Sequence, residues 1–229
     1  VDLRLGDKLQ AVLETHLKTA NGHLRGVRGN VAWDEYPVMG IPLDPVRAVL
    51  LDDGNSTAGM RSLAKLGLTL DTWVFHHQIH KATEAAQRVP ELTIVLDHVG
   101  SPIGPVGPYA GKEKEVFKAW EAAIRAAARR PNIVVKLGGM GMQFISPQVF
   151  KKTPQATSED LAKAWAPYFE VCIEAFGVNR CMFESNIPPD FGSATYGVLW
   201  NAYKRVAAKA SDIERTALFS GTAKRVYRL

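Results

Sequence analysis

Ionisable and polar side chains recur at one kind of place in this sequence, directly after or inside short apolar runs. They are Arg28 after LRGV, His76, His77 and Gln78 after LTLDTWVF, Asp97 and His98 after LTIVL, Lys136 inside NIVVKL, and Glu184, Ser185 and Asn186 after RCMF. An arginine offers a planar fork to an anion, and the same fork can instead pair with a neighbouring carboxylate. Histidine exchanges protons near neutral pH; His98, set between TIVLD and Val99, is the foremost candidate, with a hydrogen-bonded structural role as its alternative. Lys136 is costly to bury unpaired in an apolar strand, so it calls for an acidic partner, a substrate contact, or both. His76 and His77 are adjacent, so within a strand they would point to opposite faces and at most one would face a lumen. His16, His23 and His80 read as solvated or packing residues, and Met140 and Met142 as residues that line or cover a pocket.

These residues are far apart along the chain and can meet only if the apolar runs lie side by side in one sheet. The runs read as strands at Val1 to Arg4, Leu24 to Arg28, Leu68 to Phe75, Leu92 to Asp97 and Asn132 to Leu137, with a last one opening RCMFESNIPPD at 180 to 190. Helical periodicity lies between them, from Asp7 as a cap through about Thr19, at Val46 to Leu51, Thr57 to Leu66, His80 to Val89, Lys114 to Arg130 and Ser158 to Phe176. Further helices follow near Tyr196 to Lys209 and Asp212 to Phe219. Short strands this apolar, each followed by a helix, predict a parallel sheet built of βαβ units. The loops after the strands are the long polar ones, Gly29 to Pro45 with Trp33 among them, and a βα barrel gathers strand ends of that kind on one rim.

The chain has 229 residues, 46% hydrophobic and 22% charged, which is enough for one large core and predicts a single domain over 1–229. A net charge of +5 is compatible with an anionic small molecule, but the Lys and Arg residues are scattered among acids, which argues against nucleic acid. No run of 18 or more apolar residues predicts a membrane span and no signal sequence is visible, so a cytoplasmic location is the expectation. Cys172 and Cys181 fall on different elements and read as packing thiols.

LRGVR at 24 to 28, LDHVG at 96 to 100, NIVVKLGG at 132 to 139, RCMFESNIPPD at 180 to 190 and the terminal LFSGTAKRVYRL together resemble the amidohydrolase-2 family, through essentially the whole chain. The resemblance implies a (β/α)8 TIM barrel and a family that includes lactone hydrolases and metal-dependent decarboxylases. Two departures accompany it. Family members begin with a strand carrying a His-x-His ligand pair and then a second strand, and neither is present here, so the expectation is an N-terminally incomplete barrel of six strands. Its exposed edge would favour self-association into a homo-oligomer. Many relatives also carry Phe-Gly-Ser-Asp-Trp-Pro where this chain has FESNIP, which puts Asn186 at the position of the aspartate and Glu184 at that of the glycine. An amide is a poor metal ligand and cannot take a proton from water, whereas Glu184 shares a strand face with Asn186 and can take over the base role or pair with Lys136.

The resemblance therefore implies a hydrolase of a lactone or related cyclic ester or amide, carboxylate-bearing and metal-independent. In that scheme Arg28 holds the anion, His98 and Lys136 polarise the carbonyl, Glu184 activates water and Asn186 orients it, while Trp33, His76, His77, Gln78 and Ser185 complete the substrate surface. No cofactor is expected in this chain, and a divalent metal such as zinc enters only if N-terminal ligands exist outside it. The alternatives are a non-catalytic barrel serving as a binding module, and a metal-dependent decarboxylase.

Overall fold

The computed structural model describes residues 1–229. Five strands, β1 (Gly26–Asn30), β2 (Thr69–Trp73), β3 (Ile94–Leu96), β4 (Ile133–Leu137) and β5 (Cys181–Phe183), form one parallel sheet in the order β1-β2-β3-β4-β5. Between and after them come α1 (Leu9–Thr19), α2 (Gly54–Lys65), α3 (Ile79–Arg88), α4 (Glu113–Ala128), α5 (Ser158–Phe176), α6 (Tyr196–Val206), α7 (Asp212–Thr216) and α8 (Thr222–Tyr227). No helix is long and apolar enough to cross a membrane.

The expected first strand is absent, so the strand count is five and not six. Leu3–Lys8 is a 3-10 segment that runs into α1, because the Asp2 carboxylate accepts the Arg4 N–H and so caps a helical start. Buried Leu3 then belongs to the helical layer. A Cβ on Gly59 of α2 would lie 2.3 Å from the Leu3 carbonyl oxygen, so that close approach depends on glycine. At the other end α8 was not foreseen, because Gly221 and the charged residues after it look like a tail.

Period two along the strands separates two faces. Ile94, Leu96, Ile133, Val135, Leu137, Cys181 and Phe183 join the main core with the helices. Val95, Val134 and Met182 point the other way, where Val226 of α8 meets them together with Ala223 and Tyr227. Burying an aliphatic side chain of this size is worth about 1.5–3 kcal/mol, which favours docking of so short a helix. The same alternation directs Arg28, Asp71 and Lys136 to that inner side, where register sets Arg28 beside Asp71 and Lys136 beside Met182. Cys172 and Cys181 are both free and buried.

Candidate active site

His98 is held in an unusual backbone. β3 stops at Leu96, and His98 (φ 54°) and Val99 (φ 49°) then adopt left-handed conformations, each costing on the order of 1–3 kcal/mol for a residue with a Cβ. Three contacts hold the turn. Buried Trp120 of α4 donates its indole N–H to the Val99 carbonyl (2.7 Å), Ser101 N donates to the His98 carbonyl (2.8 Å), and Gly139 (φ 68°) lies against the imidazole. A Cβ at Gly139 would sit 2.5 Å from the His98 ring, and one at Gly138 would sit 2.3 Å from the Glu184 carbonyl oxygen. The Gly138–Gly139 pair after β4 is thus the floor on which the histidine and the glutamate meet.

From His98 an ionic network spreads across the strand ends. Its Nδ1 makes a short hydrogen bond to Glu184 Oε1, which also accepts the His98 backbone N–H at 3.2 Å. Its Nε2 faces Arg28 Nη2 at 3.4 Å. The Arg28 Nε donates to Asp97 Oδ2 (2.8 Å), with Nη2 2.7 Å from the same oxygen; Asp97 is fully buried whereas the arginine side chain is 50% exposed. Lys136 Nζ donates to Asp71 Oδ2 (2.7 Å) and lies 3.0 Å from Asp97 Oδ1 and 3.7 Å from Glu184 Oε2. From α8, the Tyr227 hydroxyl donates to the same Asp71 oxygen at 2.7 Å.

Electrostatics follow from this crowding. Burial would lower the basicity of His98, but the Glu184 carboxylate outweighs it and holds the imidazole above its ordinary value. Burial likewise works against charge on Glu184, yet His98, Lys136 and Arg28 keep its carboxyl below the usual range. Burial raises Asp97, with Lys136 opposing. Lys136 stays cationic, since its three carboxylate neighbours more than offset desolvation.

Asn186 stands at the edge of this network in a left-handed conformation (φ 45°), its Nδ2 donating to Asp190 Oδ1 at 2.9 Å. Asp190 is fully buried, and burial raises its carboxyl to about 7. Ser185 is half-buried between Glu184 and Asn186.

The other expected residues lie to one side. His76, His77 and Gln78 form a 3-10 turn after β2, not a continued strand, and the two imidazoles pack edge to face at 5.2 Å. Gln78 clamps backbone, accepting from Trp33 N (2.9 Å) and Phe75 N (3.2 Å) and donating to the Val31 carbonyl (3.0 Å). Burial, followed by the neighbouring His77, pushes His76 down to about 4. His77 Nε2 lies 3.2 Å from the Trp33 carbonyl and 3.6 Å from Asp34. Trp33, Asp34, His77 and Tyr109 line a cavity of about 560 Å³. A second, more apolar cavity of about 420 Å³ is lined by Tyr36, Val38, Met142, Phe144 and Pro189 among others.

Three participants were missed from sequence. Asp71 left a signal, a carboxylate inside the apolar run TLDTW at the period of the inner face. Asp190 lay beyond two prolines, and Tyr227 lay beyond the last expected helix.

The donor set does not fit a metal ion. No three or more His, Cys, Asp or Glu side chains gather in a ligating arrangement. The place between Asp71, Asp97 and Glu184 is taken by the Lys136 ammonium, and the His98 Nδ1 is held by the Glu184 carboxylate.

Comparison with known proteins adds to this geometry. A family profile described as amidohydrolase matches residues 2–229. An uncharacterized protein of Sinorhizobium fredii is 31% identical over 223 residues, which are 95% of this chain and 65% of that protein. L-fucono-1,5-lactonase of Burkholderia multivorans is 29% identical over 185 residues, 80% of this chain and 59% of the enzyme. The chain thus spans less than two thirds of the length of either curated relative. A crystal structure of an amidohydrolase from Burkholderia multivorans with bound HEPES superposes with a TM-score of 0.80 at 26% identity, covering 100% of this chain and 72% of that one. A form with bound zinc gives 0.75 at 26% identity, covering 96% and 71%.

Proposed function

The chain belongs to the amidohydrolase family, and from that premise we propose that its protein hydrolyses a lactone or a related cyclic ester bearing a carboxylate, without a metal ion. The observation that carries the reading is the alignment Glu184–His98–Arg28, in which one imidazole nitrogen is held by a carboxylate and the other faces a half-exposed guanidinium. Likeness to a lactonase supports the substrate class.

A carboxylate on Nδ1 fixes the tautomer that leaves Nε2 with its lone pair, and it stabilises the imidazolium formed when Nε2 takes a proton. In this reading His98 is the general base toward water and Glu184 acts through it, a revision of the simpler idea that Glu184 takes the proton itself. Arg28 spends Nε and Nη2 on Asp97, and its Nη1 is offered to the substrate carboxylate; its charge also faces the oxyanion that develops as water adds to the carbonyl. Lys136 keeps Asp97 and Glu184 ionised, and Asn186 accepts a hydrogen bond from the attacking water. Trp33, His77 and Ser185 border the substrate, with His76 and Gln78 holding that border in shape.

The test is a panel of sugar lactones and carboxylated lactones assayed with the full-length natural protein and its Glu184→Gln and Arg28→Ala variants. Wild type is expected to hydrolyse at least one member. Glu184→Gln should lose about a hundredfold or more in kcat, and Arg28→Ala should lose more on anionic than on neutral members. No turnover on any lactone overturns the reading, and equal rates for wild type and Glu184→Gln overturn the dyad.

A further inference from the structure

Asp190 has no part in the hydrolysis scheme above, yet it is as buried as any residue in the chain. Its Oδ1 accepts from Asn186 Nδ2 at 2.9 Å, and its Oδ2 meets no side-chain donor, only the Gly141 backbone N–H lying near enough to favour its charge. The backbone around it is locked: Asp190 N donates to the Asn186 carbonyl (3.2 Å), and Ser193 N (3.0 Å) and Ala194 N (3.2 Å) donate to the Asp190 carbonyl. Gly141 leaves room for the carboxyl, since a Cβ there would lie 3.0 Å from the Asp190 Cγ, and Ser193 Oγ donates to the Gly141 carbonyl at 2.7 Å. A carboxyl group held this firmly against one end of a planar amide decides which end of that amide is free.

We propose that Asp190 is a positioning residue that sets the polarity Asn186 presents to the active site. An ionised carboxylate only accepts hydrogen bonds, so it must face Nδ2, and the carboxamide oxygen is then left for the attacking water. A protonated Asp190 can donate instead. The amide can then turn over, so that Asn186 offers a donor where the water needs an acceptor. The groups facing Asp190 are His98 from the turn after β3, Glu184 from the end of β5 and Tyr203 from α6, whose hydroxyl is buried without a partner. Burial places the Asp190 transition at about 7, within the range in which an enzyme works.

The inference rests on the hydrolase reading for its catalytic consequence, but the amide geometry can be observed without turnover. In protein labelled with ¹⁵N-asparagine, the side-chain NH₂ signals of Asn186, identified by their loss in Asn186→Ser, are expected to shift with pH about a midpoint near 7. The same signals should lose that titration in Asp190→Asn. Absence of a titration in wild type overturns the proposal, and so does an unchanged titration in Asp190→Asn. If that variant fails to fold, the Asp190 side-chain ¹³C carboxyl signal of wild type is followed instead, and a midpoint different from that of the Asn186 signals overturns the proposal. On a lactone that wild type hydrolyses, Asp190→Asn should lower kcat roughly tenfold, the scale of one misplaced hydrogen bond, with KM within about twofold. Its rate should also lack the part of the pH dependence that follows the Asn186 signals; wild-type kcat and an unchanged profile would overturn the proposal. Titrating signals in a protein that hydrolyses no lactone would leave the Asp190–Asn186 geometry standing and sink the hydrolase reading.

Discussion

Burial and close neighbours together set the charge states of the ionisable side chains at the strand ends, and this makes pH the most direct probe. Glu184 raises the basicity of His98, so a rate that needs neutral His98 should climb with pH about a midpoint above 6.5. Glu184→Gln removes that support, and the rising limb should move to lower pH while kcat falls; a limb that stays in place would remove Glu184 from the dyad. Asp190 acts on stability with the opposite sense to an ordinary salt-bridged acid. Its folded value of about 7 lies above 3.8, so its contribution is fully present below about pH 4 and is lost as pH rises through about 7. Thermal melts from pH 5 to 8 should therefore fall less steeply for Asp190→Asn than for wild type. Lys136 stands among three carboxylates, and Lys136→Met should cost about 3–5 kcal/mol in denaturant unfolding because a buried charge group then loses its counter-ion. That Arg28, His98, Lys136 and Glu184 would meet was approachable from residue type and place in the sequence. The pairings were not, because Lys136 was expected beside Glu184, whereas Asp71 and Asp97 lie closer.

At the scale of elements, the turn after β3 and the Gly138–Gly139 pair after β4 act as one part. Both depart from regular geometry, and each excludes what would push the other away: Gly139 has no Cβ to meet the imidazole, and Trp120 holds the Val99 carbonyl from behind. Gly139→Ala adds a methyl at a positive φ and should cost roughly 1–3 kcal/mol while displacing His98. A loss of activity larger than the change in Tm explains would mark the displacement, and full activity would mean that the ring has room to move. The strands and most helices were legible from apolar runs and caps. The first expected strand was not, because a run as short as VDLR carries no period, and the Asp2 cap together with a docking place beside Gly59 decided it.

For the whole molecule, the short C-terminal helix joins fold to chemistry. α8 covers Val95, Val134 and Met182 on the inner face, and its Tyr227 reaches Asp71 beneath the Lys136 ammonium. Tyr227→Phe keeps the cover and removes one hydrogen bond to a charged group, so it should cost about 1–3 kcal/mol and leave the fold intact. Dialysis of the full-length protein against a chelator should leave lactone turnover within about twofold, and a loss restored by zinc would overturn the metal-independent reading. The sequence by itself determined the parallel βα order, the strand ends as the place where ionisable side chains collect, and the family, because apolar periodicity and ordered motifs are local properties of the chain. Only the tertiary structure decided that Glu184 binds His98, that Lys136 sits between Asp71 and Asp97, and that Asp190 grips Asn186. Charge pairing inside a protein depends on distances of a few ångströms between residues tens of positions apart, and those distances exist only once the sheet has closed the strand ends together.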